Sequence, residues 1–186
     1  MKTAVIVHGW SFNPKMHWYP WLKKQLENKG YEVKVPEMPD TDEPKINVWV
    51  SYLKKVLGRL DKETILIGHS IGCQTIMRYL EKEDFNGKIS VIFIAGWFKL
   101  DNLEDKEVEK IASPWLKTPI NFNKVKEKID HIVVFLSSNE PYNYVKENKE
   151  VFERNLGAKV FILKNKGHFT EDDGIKQLPE ILQFIK

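Results

Sequence analysis

The chain has 186 residues, of which 42% are apolar and 30% charged, and its 29 basic and 26 acidic residues give a formal net charge of +3. These values predict one soluble domain spanning residues 1–186, and they give no support to a nucleic-acid-binding protein. The single cysteine excludes an intramolecular disulfide. The apolar runs are too short for a membrane span or a signal peptide, so we expect a cytoplasmic protein with no membrane partner.

Short apolar runs rich in β-branched residues alternate with helical patterns along the chain. Strands are predicted at residues 3–8, 31–36, 64–69, 89–96, 131–137 and 158–164. Helical patterns cover residues 17–30, 47–60, 71–83, 143–157 and 174–186. This alternation favours right-handed βαβ units, and therefore an α/β fold with a six-stranded, mainly parallel sheet and helices on both faces.

The longest irregular stretch is predicted at residues 97–128, which include Pro114 and Pro119. A connection of this length without a strand is more often functional than a plain linker. We therefore expect residues 97–128 to form a pocket-shaping loop or a small lid.

Residues that follow the predicted strands are candidates for a site, because parallel sheets bind ligands beyond the carboxyl ends of their strands. Ser70 follows the third strand, Glu140 the fifth and His168 the sixth. A serine, an acid and a histidine therefore occur in that order along the chain, at one predicted edge of the sheet.

The sequence GHSIG at residues 68–72 matches the G-x-S-x-G pattern of a nucleophile elbow. In such an elbow the serine occupies a strained turn between a strand and a helix, and small residues two positions away let the backbone pass. We expect the N–H groups of Ile71 and Trp10 to form the oxyanion hole. The alternative interpretation is that Ser70 only caps the following helix.

A serine hydroxyl needs a base to act as a nucleophile, and His168 in the Gly-containing segment NKGHFTEDDG is the best candidate. The alternative is that His168 is an ordinary surface histidine. His69 is adjacent to Ser70, but neighbouring side chains diverge in an elbow, so we expect His69 to pack or to form hydrogen bonds. His131 opens the fifth strand at the opposite edge of the sheet.

The imidazole in turn needs a carboxylate that fixes its tautomer. Glu140, after the fifth strand, is favoured over its rival Asp101, after the fourth. Asp172 and Asp173 lie very close to His168 in sequence. We therefore expect them at the surface or as loop caps rather than as the carboxylate partner of the imidazole.

Several residues at the same edge are candidates for the wall of a substrate pocket. These are His8, Gly9, His17, Trp97, Trp115 and Tyr142. The histidines and Cys73 show no zinc-ligand spacing, so we expect neither a metal nor another cofactor.

Motifs that run nearly end to end point to a family: VIVHGW at 5–10, HWYPWLKKQL at 17–26, GHSIGC at 68–73, SSNEPY at 137–142 and KGHFTEDDG at 166–174. With them the chain resembles the small α/β-hydrolase-fold serine hydrolases that include retinoblastoma-binding protein 9 and its bacterial relatives. The resemblance implies a minimal α/β-hydrolase sheet and a metal-free hydrolase of ester or amide bonds, with Ser70 as nucleophile and His168 as base. The family's acid is usually the second Asp of a DD pair, which here reads Asn139–Glu140, so Glu140 takes its place.

The leading hypothesis is a carboxylesterase-like serine hydrolase that acts on a small-molecule ester or acyl substrate through an acyl-enzyme. The alternative is a weakly active or inactive hydrolase fold that serves as a protein-interaction module. The feature that supports this alternative is the Asn139–Glu140 pair, which departs from the family's usual DD pair. Acyl transfer to an acceptor other than water would use the same residues.

Overall fold

A computed structural model describes residues 2–103 and 105–185, and these residues contain a six-stranded parallel sheet. The strands are β1 (Thr3–Val7), β2 (Glu32–Lys34), β3 (Thr64–His69), β4 (Ile89–Ile94), β5 (Ile129–Ser137) and β6 (Lys159–Leu163). They lie in the order β2-β1-β3-β4-β5-β6, and each neighbouring pair is parallel. The predicted parallel sheet is confirmed.

Helices connect the strands. They are α1 (Tyr19–Asn28), α2 (Ile46–Leu57), α3 (Ile71–Leu80), α4 (Lys106–Lys117), α5 (Phe122–Glu127) and α6 (Val145–Leu156), followed by a 3₁₀ helix at Pro179–Phe184. None of the helices in the described ranges has the length and apolar character needed to cross a membrane.

Two segments differ from their predicted form. Residues 97–128 are not irregular but contain α4 and α5. Asp105 starts α4, because its carboxylate accepts the N–H groups of Glu107 and Val108 at 2.8 and 2.9 Å. At the C-terminus the predicted long helix is a short 3₁₀ helix beginning at Pro179, since proline is tolerated in a first turn but breaks a helix interior.

The sheet is buried on both faces because alternate strand residues enter two apolar clusters. Val5 and Val7 of β1 pack in the cluster that includes α2 to α6, whereas Ala4 and Ile6 pack in the cluster with α1 and the 3₁₀ helix. The same alternation holds in β3, β4 and β5. Apolar side chains on both faces are the pattern that a covered parallel sheet requires.

The central helix α3 is buried along its whole length and connects to α4 through one arginine. The Arg78 guanidinium donates to the backbone oxygens of Trp115 and Thr118 at 3.0 and 2.7 Å, and to Gln74 Oε1 at 3.0 Å. Arg78 thus satisfies carbonyl groups that the end of α4 leaves without intrahelical donors. This contact fixes α4 against α3, and α4 lines the site described below.

Candidate active site

Ser70 lies in the one-residue turn between β3 and α3. Its φ of 55° and ψ of −123° are unusual for a residue other than glycine, and strain of this kind costs on the order of 1–3 kcal/mol. A Cβ on Gly68 would lie 2.8 Å from backbone atoms of Cys73, and a Cβ on Gly72 would lie 2.3 Å from the Val7 oxygen. Gly68 therefore lets α3 begin directly after the turn, and Gly72 lets α3 lie against the end of β1.

The Ser70 side chain makes no capping hydrogen bond to α3. Its Oγ instead accepts a hydrogen bond from the indole Nε1 of Trp97 at 3.3 Å. Because an indole nitrogen only donates, this contact leaves the Ser70 hydroxyl proton available to another acceptor.

His168 lies on the loop after β6, and its ring is paired with Glu140. The distance from His168 Nδ1 to Glu140 Oε1 is 2.8 Å, and the two side chains are only 10% and 11% exposed. The ring of Tyr142 lies edge-on to the imidazole, with 5.1 Å between the ring centroids. Because Nδ1 donates to Glu140, Nε2 is the ring nitrogen left to accept a proton.

The rival acid, Asp101, is exposed, and its Oδ1 accepts a hydrogen bond from the Asn102 N–H at 2.9 Å. Among the described residues, the carboxylate that hydrogen-bonds the His168 ring is that of Glu140. The structure thus brings Glu140, and not Asp101, to the histidine.

Hydrogen bonds from backbone N–H groups to side-chain oxygens join the loops that carry Glu140 and His168. Asn139 Oδ1 accepts the Gly167 N–H at 2.8 Å, and Ser137 Oγ accepts the Lys166 N–H at 2.9 Å. Asp173 Oδ2 accepts the N–H of His168 at 2.9 Å, so Asp173 is a loop cap. The sequence pattern did not predict these roles for Ser137 and Asn139, because the two loops are separated by all of α6 and β6.

Ser70 and His168 line the same cavity, which has a volume of about 510 Å³. Trp10, Trp97 and Tyr142 also line it. Further apolar lining comes from Phe12 and from the segment before and within α4: Leu100, Leu103, Val108 and Ile111. The carboxylate-bearing residues of the lining are Asp42, Glu43, Asp105 and Glu107.

The lining residues of α4 were missed because the prolines suggested an irregular segment. The signal was nevertheless present, since Val108, Ile111, Ala112 and Trp115 recur at helical spacing after a capping aspartate. A helix there turns Ala112 and Trp115 into the core and leaves Val108 and Ile111 at the cavity.

Four of the predicted pocket residues lie outside the cavity lining: His8, Gly9, His17 and Trp115. His8 is fully buried, donating from Nδ1 to the Gly9 oxygen at 2.8 Å and accepting the Met38 N–H at Nε2 at 3.0 Å. The Trp115 indole donates to the Pro44 oxygen at 2.9 Å within the core.

His17 and Gly9 also have structural contacts. His17 Nδ1 accepts the Glu171 N–H at 3.1 Å. A Cβ on Gly9 would lie 2.5 Å from the Phe12 ring and 3.2 Å from Ser70 Cβ, so this glycine permits close packing beside Ser70. The polar or close-packed contacts of these residues explain why they do not face the cavity.

Of the two predicted oxyanion donors, Ile71 directly follows Ser70, and Trp10 lines the same cavity as Ser70. Ile71 is the first residue of α3, and the N–H groups of a helix's first turn have no intrahelical acceptor. Trp10 follows β1 and lines the cavity, and its indole donates to the Asp42 oxygen at 2.9 Å. Within the described part of the chain, no cluster of His, Cys, Asp or Glu is arranged to hold a metal ion.

A parallel sheet with a serine turn after β3 and a histidine after its last strand defines the α/β-hydrolase class of fold, here in a minimal form. The chain belongs to the serine hydrolase family, whose sequence model matches residues 4–186. Membership of this family and the shared fold support hydrolase activity.

Individual relatives agree with this assignment. The chain is 27% identical to YdeN of Bacillus subtilis (strain 168) over 189 aligned residues, covering 99% of this chain and 94% of YdeN. The crystal structure of the B. subtilis ydeN product superimposes with a TM-score of 0.89 at 25% identity, covering 99% of this chain and 96% of that one. The serine hydrolase RBBP9 of Rattus norvegicus is 31% identical over 170 residues, covering 91% of this chain and 84% of the rat protein.

Proposed function

We propose that this serine hydrolase cleaves small carboxylic esters through an acyl-enzyme, with Ser70, His168 and Glu140 as its catalytic triad. The observation that carries the proposal is the 2.8 Å contact between His168 Nδ1 and Glu140 Oε1, because His168 lines the same cavity as Ser70. A carboxylate in that position fixes the tautomer in which His168 Nε2 can accept a proton.

In the proposed reaction, Ser70 Oγ attacks the ester carbonyl carbon while its proton passes to His168 Nε2. The resulting oxyanion accepts hydrogen bonds from the backbone N–H groups of Ile71 and Trp10. Collapse of the tetrahedral intermediate breaks the bond to the leaving alcohol, which takes the proton from His168. Water then attacks the acyl-enzyme with His168 as base, and the acid is released as Ser70 regains its proton.

The shape and polarity of the cavity favour a neutral substrate with an apolar acyl group. Its apolar wall contains aromatic residues beside Ser70 and aliphatic residues from the segment that includes α4. Among the described lining residues, His168 carries the basic side chain, whereas Asp42, Glu43, Asp105 and Glu107 carry carboxylates. An anionic acyl group would meet like charges there, so residues 97–128 act in this proposal as the pocket-shaping element.

A fluorophosphonate probe and short p-nitrophenyl esters test the proposal. Wild type, Ser70→Ala, Glu140→Gln and Asp101→Asn are compared by intact mass after labelling and by kcat/KM. Removal of a triad serine is expected to cost at least about 10³-fold, and Glu140→Gln about 10²- to 10⁴-fold. Asp101→Asn is the matched control and should stay within about twofold of wild type, since its carboxylate contacts Asn102 rather than the histidine.

Two outcomes would contradict the proposal. Turnover that survives in Ser70→Ala would exclude Ser70 as the nucleophile. A folded wild type that neither labels nor turns over ester would show that the serine is not activated, and pull-down of protein partners would then test the interaction-module alternative.

A further inference from the structure

The histidine beside the nucleophile, His69, connects the serine turn to the loop of the catalytic histidine. His69 is the last residue of β3 and is fully buried. Its Nε2 lies 2.8 Å from the backbone oxygen of His168, and its Nδ1 lies 2.6 Å from the Tyr19 hydroxyl on α1. The proposed mechanism does not use this imidazole.

The direction of both hydrogen bonds follows from the chemistry of the partners. A carbonyl oxygen only accepts, so His69 Nε2 carries a hydrogen and donates to His168. Burial is the main cause that lowers the pKa of His69 well below its ordinary value; the charges of His168, His17 and His8 act in the same direction, and the hydrogen bond to the His168 backbone opposes them only in part. The ring is therefore neutral, its Nδ1 accepts, and Tyr19 donates. Burial also raises the pKa of Tyr19 well above its ordinary value, so this phenol keeps its proton.

The orientation of the His69 ring is restricted by packing on several sides. Phe12 stacks on it with 5.4 Å between ring centroids, and the rings of Trp18 and Tyr19 lie at 5.5 and 5.7 Å. Because this side chain cannot move freely, the His168 backbone oxygen to which it donates is held at a defined distance from the end of β3.

His168 is thus held by three different groups. Glu140 contacts its ring, Asp173 accepts its backbone N–H, and His69 donates to its backbone oxygen. His69 alone among these three is covalently adjacent to Ser70. We propose that His69 is a positioning residue that sets the separation of Ser70 and His168, and that Tyr19 fixes the tautomer of His69; this inference rests on the proposed triad.

Three substitutions separate the hydrogen bonds from the packing. His69→Phe keeps a buried ring but removes the donor to His168. His69→Gln retains an amide N–H near the position of Nε2. Tyr19→Phe keeps the ring of residue 19 but removes the hydroxyl. His131→Gln is the matched control, because this histidine is exposed at the start of β5.

Each variant is measured for kcat and KM on a p-nitrophenyl ester across pH, and for melting temperature. A displacement of about 1 Å at a catalytic group can cost on the order of 100-fold, so His69→Phe should lower kcat about 10- to 100-fold with little change in KM. Its pH profile should also differ from that of wild type, because the displaced His168 ring contacts Glu140 less well. His69→Gln should recover most of kcat, Tyr19→Phe should lie between the two, and His131→Gln should match wild type.

A spectroscopic measurement makes the result independent of turnover. In protein labelled with ¹⁵N-histidine, wild type should show His69 as the Nε2–H tautomer and a low-field proton from His168 Nδ1. That proton should broaden or disappear in His69→Phe and persist in His69→Gln. If wild type turns over no ester, the proposed function fails, whereas this comparison still decides whether His69 positions His168.

The proposal is overturned if His69→Phe lowers only the melting temperature and leaves kcat, the pH profile and the low-field proton unchanged. It is also overturned if the Gln and Phe variants lose kcat equally, since the hydrogen bond to His168 would then not be the cause.

Discussion

Glu140 reaches His168 with a side chain that is one methylene longer than that of an aspartate. The backbone of its loop is fixed by the neighbouring Asn139, whose side chain accepts the Gly167 N–H. With the loop held in this way, we expect the 2.8 Å contact to depend on the length of the glutamate side chain.

Glu140→Asp should accordingly lower kcat although it keeps the charge. Shortening the side chain withdraws the carboxylate by roughly 1 Å, and a misplacement of that size costs about 10- to 100-fold in rate. Ester turnover measures the effect, with Glu109→Asp on the exposed side of α4 as control. An unchanged or higher kcat in Glu140→Asp would mean that this loop adjusts to the shorter acid.

Cys73 should resist alkylation in the native protein. It is buried in α3, its thiol donates to the Ile94 oxygen at 3.5 Å, and burial raises the pKa of the thiol. Because the thiolate is the reactive form, iodoacetamide should modify the protein only after unfolding. Mass spectrometry in buffer and in denaturant measures this, and rapid native modification would show that α3 opens away from β4.

At the scale of elements, α4 is the part of the pocket that depends most on distant contacts. Arg78→Met removes the donors to Trp115 and Thr118 and leaves buried carbonyl groups unpaired. Each such loss costs about 1–3 kcal/mol, so we expect a lower free energy of unfolding and faster amide exchange in α4. Arg154→Met, at an exposed position of α6, is the control. Unchanged exchange in α4 would show that its apolar packing suffices.

The acyl preference should follow from the cavity face of α4. Val108→Trp fills space beside the proposed acyl site. The ratio of kcat/KM for p-nitrophenyl octanoate to kcat/KM for p-nitrophenyl acetate should therefore fall about tenfold. Lys110→Trp places the same side chain on an exposed position of α4 and should leave the ratio unchanged. A ratio that does not respond to Val108→Trp would place the acyl group elsewhere in the cavity.

For the whole molecule, three histidines link stability to pH. Burial lowers the pKa values of His8, His17 and His69 in the folded protein. The unfolded chain therefore binds more protons as the pH falls below about 6.5, so the stabilisation present above that pH is lost on acidification. The melting temperature should fall as the pH is lowered from about 7 to about 5. This fall should be less steep in His69→Gln than in the control variant His131→Gln. Equal slopes would contradict the contribution of His69.

Much of the fold could be predicted because its signals are local. Apolar runs of β-branched residues marked all six strands to within a few residues, and the stop at Gly30 marked the end of α1. The prediction failed where two local signals competed, as at α4, where Pro114 suggested a break although Asp105 starts a helix. It also failed at the C-terminus, where Pro179 leaves only a 3₁₀ helix.

The sequence by itself determined the parallel sheet, because strand periodicity is a local signal, and it marked the serine turn through the GHSIG pattern. Only the tertiary structure decided that Glu140 rather than Asp101 contacts the ring of His168. It also decided that the His69 ring contacts the backbone oxygen of His168. These contacts join residues 28 and 99 positions apart. Their geometry depends on how separate loops pack at the edge of the sheet, and no pattern within a single segment records that packing.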